Sequence, residues 1–346
     1  METQRWAPTD LTDTGAADTG AAGRCSWGID VGKTWLDVAQ GPAGPAWRVR
    51  NDPTGWAALV AQAAAADPAW IVLEASGALE VGVVVALDAV GRTPVILNPR
   101  VSRRFAQSHG RLAKTDRVDA AMLAQFGWER QPVPRPLPSD LARDLTALLR
   151  LRDDLVGQRT QTRNRLAVAR PVVRSVLEGQ QAALQTAIAT VEQELAAVVA
   201  RDPGWTALVT QLQTVPGIGA LTATILAVEL PELGTATAKQ LAALVGVAPV
   251  ARDSGQTRGR RAIQGGRRTV RKALYQAVFN AVCNRWCRGS LLQRHYAQLR
   301  ARGKPMKVAI IACMRRLLGL LTAMVRTGCT WDQLEVHQCA DRAAVA

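Results

Sequence analysis

Cysteine is scarce in this chain. Six residues (Cys25, Cys283, Cys287, Cys313, Cys329 and Cys339) among 346 do not make a disulfide framework. Cys283 and Cys287 stand four apart on a predicted helix with His295 beyond. That set falls short of the four closely spaced ligands of a zinc site, so a buried thiol pair is expected. Long apolar runs are missing as well. None reaches the roughly 18 residues that cross a bilayer, although 48% of the chain is hydrophobic. A secretory signal is absent too. Residues 1–23 are rich in Thr, Asp, Gly and Ala, with no basic stretch leading into an apolar one, and predict a disordered leader. These absences point to a reducing cytosol and away from a membrane-spanning chain.

Acidic residues are the last scarcity, and it is local. Residues 252–288 hold ten basic side chains and a single acid, Asp253. The net charge of +15 is accordingly uneven: residues 1–130 carry 13 Lys/Arg against 14 Asp/Glu, and residues 131–346 carry 30 against 14. A basic cluster of that density is the footprint of phosphate binding. Glycine-rich turns within it argue against a membrane-surface helix.

In the first half, Trp27 to Ala39 predicts two short apolar strands joined by a turn at Gly32-Lys33. Ala46–Arg50 predicts a third strand. Asp52-Pro53 opens a helix, the aspartate as cap and the proline at its first position. Trp70–Glu74 is a continuous apolar run, as in a strand buried on both faces. A helix over about 79–90 and a strand over 93–97 follow. Strands alternating with helices predict an α/β domain, whose active site lies at the carboxyl ends of the strands. A basic, partly helical stretch, 101–109, precedes a helix that Thr115 can cap, running to about Trp128.

Asp30 is out of place in the first apolar strand. It is either an edge residue facing water or a metal ligand. Glu74 stands at the end of a later strand. Asp116 and Asp119 share one face of the helix after the sheet, where they either complement the helix dipole or add two more ligands. Four carboxylates from these places can hold two hard cations, Mg²⁺ or Mn²⁺. The hairpin-first sheet with this carboxylate order is the layout of an RNase H-like, RuvC-like nuclease.

Four prolines in residues 131–138 mark a stiff linker and a domain boundary. A long helical stretch from Asp140 to about Val176, interrupted or kinked at Pro171, and a second helix over about 180–201 predict an antiparallel coiled-coil arm. Val215-Pro-Gly-Ile-Gly219 has the helix-hairpin-helix pattern, in which Gly217 and Gly219 let backbone amides approach a phosphate; a plain tight turn is the alternative. Residues 248–266 predict a loop into a helix of about 267–288. Within it Ser254 precedes a glycine and is ringed by arginines that can fork around a phosphoryl group. Ser254 is therefore a candidate nucleophile, although serine in a Ser-Gly turn is common. An apolar helix over 308–325 reads as core or interface.

Taken together, Gly28-Ile-Asp-Val-Gly-Lys33, Leu73-Glu-Ala-Ser-Gly77, Leu97-Asn-Pro99, Gly110 to Ala120, Val215 to Gly219 and Ser254-Gly255 with Gly265, Gly266, Arg271 and Leu274 resemble transposases of the IS110 family, including its IS1111 branch. These are bridge-RNA-guided DEDD recombinases. The resemblance runs from about residue 26 to 325 and departs at Gly265-Gly266, where Gly-Asn is more usual.

It implies a RuvC-like DEDD domain over 24–130, the linker and coiled-coil arm over 131–204, a mainly α-helical transposase domain over 205–330 and a tail over 331–346. It further implies Asp30, Glu74, Asp116 and Asp119 as metal ligands and Ser254 as the nucleophile that joins DNA covalently. Donor and target DNA, a guide RNA and further copies of the chain (a dimer assembling to a tetramer) would be the partners, with the protein cytoplasmic and nucleoid-associated when bound. Lys114, Gly217, Gly219, Arg252, Arg258, Arg260, Arg261, Arg267, Arg268, Arg271 and Lys272 would contact nucleic acid. The alternative is a Mg²⁺-dependent Holliday-junction nuclease that hydrolyses with water.

Overall fold

The structure, a computed structural model, describes residues 25–110, 116–251, 253–255, 257–259, 261–283 and 289–334. The leader and Lys114, Arg252, Arg260, Cys287 and Cys339 lie outside them. For Asp116 and Arg258 only the backbone is described. The chain divides into two compact units after Leu137, within the proline-rich stretch. The predicted arm falls in the second unit.

The first unit is a five-stranded sheet with helices on both faces. β1 (Ser26–Val31), β2 (Trp35–Gln40) and β3 (Ala46–Arg50) form an antiparallel meander. Helix α1 (Pro53–Ala66) starts where the sequence predicts, the Asp52 carboxylate accepting from the Gly55 amide. β4 (Trp70–Glu74) then pairs parallel with β1, and after α2 (Val81–Asp88), β5 (Val95–Leu97) pairs parallel with β4. The strand order is β3-β2-β1-β4-β5. Helices α3 (Pro99–Ser108) and α4 (Asp116–Arg130) complete the unit.

Side-chain alternation splits the sheet into two faces. Trp27, Ile29, Leu36, Val38 and Leu73 pack under Leu59 of α1 and Leu87 of α2. The other face carries small residues where α4 crosses: Ala39 packs on Ala120 and Ala124. Gly28 is the closest point. A Cβ there would lie 2.0 Å from the Ala120 carbonyl oxygen and 2.3 Å from the Ala124 amide nitrogen, both backbone atoms that cannot step aside singly. Gly28→Ala is therefore expected to push α4 off the sheet and cost about 3 kcal/mol or more, measurable as a lowered denaturant midpoint of the full chain.

The second unit is helical. α5 (Asp140–Ala167) and α6 (Pro171–Val199) pack against each other. Pro171 interrupts the long helical stretch, one of the two readings its sequence allows, and does not kink it. It takes the first turn of a new one, where its missing N–H costs nothing. α7 (Pro203–Gln213), α8 (Ala220–Glu229), α9 (Ala238–Val245), α10 (Arg268–Cys283), α11 (Leu291–Ala301) and α12 (Met306–Thr327) surround a core that includes Leu226, Leu241, Leu274, Val278 and Leu317. Helix α12 is long and apolar enough to cross a membrane, but Ile310, Met314, Leu317 and Leu321 are buried in this core and Arg315-Arg316 interrupts it. On α12 Cys313 is fully buried, which pushes its thiol up to about 11. Cys283 is exposed, so the predicted buried pair does not hold for it. Trp331, assigned by sequence to the tail, is 1% exposed, and its amide donates to Thr214 Oγ1 at 3.0 Å.

Where the sequence predicts a loop, the described residues include four short strands in two antiparallel pairs. β6 (Pro249–Val250) pairs with β9 (Ala262–Ile263), and β7 (Asp253–Ser254) with β8 (Thr257–Arg258). Two-residue strands leave no alternation to detect in the sequence.

Candidate active site and nucleic-acid interface

Strand register assembles the first unit's site. Gly28 pairs with Val72 and Ile29 with Leu73 across β1 and β4. One step further along the same register sets Asp30 beside Glu74, both at the carboxyl ends of parallel strands and on the face α4 covers. Asp30 is also opposite Asp37 of β2, and Asp37 is opposite Arg48 of β3. Four charged residues thus stand in one row across four strands.

They are not equivalent. Asp37 is 4% exposed, and Arg48 grips it with two parallel bonds, Nε to Oδ1 and Nη2 to Oδ2, each 2.9 Å. Such a bidentate pair neutralises Asp37 and occupies both its oxygens. Asp30 and Glu74 are only half-buried. Glu74 is oriented by Ser102 of α3, whose hydroxyl donates to Oε2. Glu74, Ser102, Arg103 and Asp119 share the lining of one 320 Å³ cleft. Asp119 lies in the first turn of α4, one residue before the Ala120 carbonyl that rests on Gly28. The two strand carboxylates and a helix carboxylate thus come from elements locked together at Gly28. Among the described residues no three His, Cys, Asp or Glu side chains already stand close enough to hold a metal ion. The Asp116 side chain is outside that set. Asp37, Arg48, Ser102 and Arg103 are additions that the sequence did not single out.

In the second unit Ser254 is exposed near the tip of its hairpin. It pairs with Thr257, and Gly255, which follows it, has φ +51°. Asp253 beside it takes an ion pair from Arg261 at 3.3 Å. The predicted phosphate binders divide. Arg261, Arg268 and Lys272 are exposed, Lys272 reaching Asp153 at 2.8 Å. Arg267 instead serves the fold: its Nη2 donates to Glu232 at 2.7 Å and its Nη1 to the Glu229 carbonyl at 3.0 Å. The hydrogen bond to Glu232 holds its pKa above the ordinary arginine value. Arg271 donates to the carbonyls of Val245 and Gly265. Each of these two partly buried side chains thus holds bonds within the fold.

Gly219 caps α8 with open space around it. Gly217 differs: at φ +89° its Cβ would strike the Ala277 carbonyl oxygen of α10 at 2.3 Å. Its lack of a side chain serves helix packing, and only Gly219 faces an open approach.

Comparison with known proteins agrees across both units. A family model described as a transposase, of the DEDD class of IS110 elements, matches residues 27–169, and the transposase model of the IS116/IS110/IS902 family matches residues 209–295. The pilin gene-inverting proteins of Moraxella bovis and Moraxella lacunata are each 29% identical over 246 residues, 70% of this chain and 75% of theirs. The insertion element IS110 uncharacterized 43.6 kDa protein of Streptomyces coelicolor is 33% identical over 124 residues, 35% of this chain and 29% of its own. The first unit accordingly has the RNase H-like fold of DEDD transposases, enzymes that use divalent metal ions. With one match running through the proline-rich stretch to residue 169, a second over residues 209–295, and relatives that invert DNA or lie in insertion elements, the chain is a DNA recombinase and belongs to the IS110 family of transposases.

Proposed function

We propose that the chain cuts and rejoins donor and target DNA of an insertion sequence through two chemical parts, a carboxylate site in the first unit and Ser254 in the second. The observation that carries the first part is the register that sets Asp30 beside Glu74 under α4. Asp30, Glu74, Asp116 and Asp119 form an all-oxygen donor set, which suits Mg²⁺, with Mn²⁺ as a substitute, rather than zinc. When bound, the cations neutralise charge building on the phosphodiester oxygens. Ser102 holds Glu74 in place for that task, and Arg48 keeps Asp37 out of it.

Ser254 Oγ attacks phosphorus: the Oγ–P bond forms as the bond to one deoxyribose oxygen breaks, and the serine's proton passes through solvent to that leaving oxygen. A hydroxyl of the incoming strand then attacks the same phosphorus, its proton returning to Ser254 as the Oγ–P bond breaks. The phosphodiester energy is retained in the protein–DNA link. Arg261, Arg268 and Lys272, with Lys114, Arg252, Arg258 and Arg260, hold phosphates. Gly219 and the start of α8 act as a helix-hairpin-helix contact, in which Gly217 supplies packing. The α5–α6 pair serves as a coiled-coil arm, and copies of the chain assemble as a dimer that forms a tetramer. Sequence choice resides in a guide RNA from the element's noncoding end.

The test supplies purified protein, donor and target duplexes, and RNA transcribed from the DNA flanking the gene. Recombinant DNA is expected only with the RNA and a divalent cation present. Equal yield without RNA refutes guidance. Nicked products with no protein–DNA adduct favour the hydrolytic junction nuclease.

A further inference from the structure

The second unit contains a cleft of 1130 Å³ whose chemistry is divided. Its floor is apolar, built from Leu221 and Ile225 of α8, Ile263 of β9, Tyr275 of α10, and Val308 and Ile311 of α12. Its rim is mostly basic, with Arg261, Arg268, Lys272, Lys307 and Arg315 against one acid, Asp153, which pairs with Lys272. Val308 is 48% exposed and Ile263 37%, so the unit's own core leaves this floor partly uncovered. Among the described residues Arg268, Lys307 and Arg315 are exposed and carry no ion pair.

The cleft exceeds the roughly 300–1,000 Å³ of a small-molecule pocket, which favours a segment of polymer. Duplex DNA would match the rim through its phosphates and leave the floor facing water. A single strand offers both surfaces at once, a charged backbone and flat apolar bases that stack on aromatic and aliphatic side chains. We infer that this cleft holds an unpaired segment of nucleic acid, bases toward Tyr275 and Val308 and phosphates toward Arg268, Lys307 and Arg315. The inference rests on the nucleic-acid-binding role proposed for this unit, and it adds a strand-state preference that the basic charge alone does not provide.

The experiment measures fluorescence anisotropy of the full chain with labelled oligothymidylate, oligouridylate and a duplex of equal length. A variant carrying Ile263→Ser and Val308→Ser, and a separate Tyr275→Leu variant, should each bind both single strands about tenfold more weakly. Duplex affinity should stay within about twofold, and Tyr275→Phe should retain single-strand binding because a stacking ring remains. The two serine substitutions fall on partly exposed side chains, and thermal melts identify any variant that fails to fold. Relative affinities of the two single strands in the unaltered protein assign the occupant to DNA or RNA. Unchanged single-strand affinity in the folded double variant refutes the inference, as does an equal fall for duplex. Displacement of oligothymidylate by an acidic amphipathic peptide at lower concentration than by unlabelled strand also refutes it, in favour of a protein partner. If the unaltered chain binds neither single strand nor duplex, the nucleic-acid role proposed for this unit fails as well.

Discussion

Ser254→Ala is expected to reduce strand exchange by about a thousandfold or more, the usual scale for loss of a covalent nucleophile. Folding should be nearly unchanged. Ser254 is exposed on a two-residue strand beside a turn, and surface substitutions of that kind stay within about 0.5 kcal/mol. DNA affinity should also persist, because Arg261, Arg268 and Lys272 remain. The decisive readout is a denaturing gel with end-labelled DNA: the wild-type protein should carry a label that survives denaturation, and the alanine variant none. A variant that recombines normally removes the serine from the mechanism. A wild-type enzyme that cleaves without forming any adduct transfers the reaction to water and to the carboxylates alone.

The hairpin position of Ser254 was not legible in the sequence, and the reason is physical. Strands of two residues have no hydrophobic alternation, and glycines and arginines there signal a loop. The longer elements were legible because they bury whole faces. The run Trp70–Glu74 and the Asp52-Pro53 start of α1 stand where expected. Pro171 left two readings open, a break or a kink, because a proline inside a helix and a proline at the start of a second helix have the same local composition. What separates them is whether the chain turns at residues 168–170.

The site shows the same division. Asp30 was detectable as a charge in an apolar strand. Its neighbour Glu74 is 44 positions away, and their adjacency depends on a parallel register that no local pattern encodes. Asp37 was missed because an acid alternating with apolar residues looks like a solvent-facing strand position. Only the fold shows that its face lies under α4 and that Arg48 neutralises it. Charge counting overreached in the opposite direction. Arg267 and Arg271 contribute to the basic cluster by composition, yet their guanidinium groups are turned inward to Glu232 and to backbone carbonyls. Net charge measures how strongly a surface attracts a polyanion, and it cannot say which cations are already committed.

Asp30 and Asp37 face each other across β1 and β2, so the same one-atom change at each separates a metal-binding role from a structural one. Asp37→Asn loses the charge that Arg48 neutralises. The arginine side chain is 39% exposed and the aspartate's 6%, so breaking this partly buried pair from one side costs about 2 kcal/mol, and the Asp37→Asn protein should melt a few degrees lower. Asp30→Asn alters a half-buried group and should change metal-free stability by less than about 1 kcal/mol. The response to cation is expected to cross over. In the unaltered protein, Mn²⁺ at a hundred times its dissociation constant stabilises by about 2.7 kcal/mol. Asp37→Asn should keep most of that increment on its lowered baseline. Asp30→Asn and Glu74→Gln should lose it, together with about a thousandfold or more of strand exchange. Thermal melts with and without Mn²⁺ read both axes. If Asp30→Asn lowers the metal-free melting temperature as far as Asp37→Asn and leaves the Mn²⁺ increment intact, Asp30 is a structural carboxylate, and the row across the sheet is an ion-pair network with no role in catalysis. If the response crosses over as expected, two aspartates on neighbouring strands have opposite duties: Asp37 anchors Arg48 within the sheet, and Asp30 serves the cation.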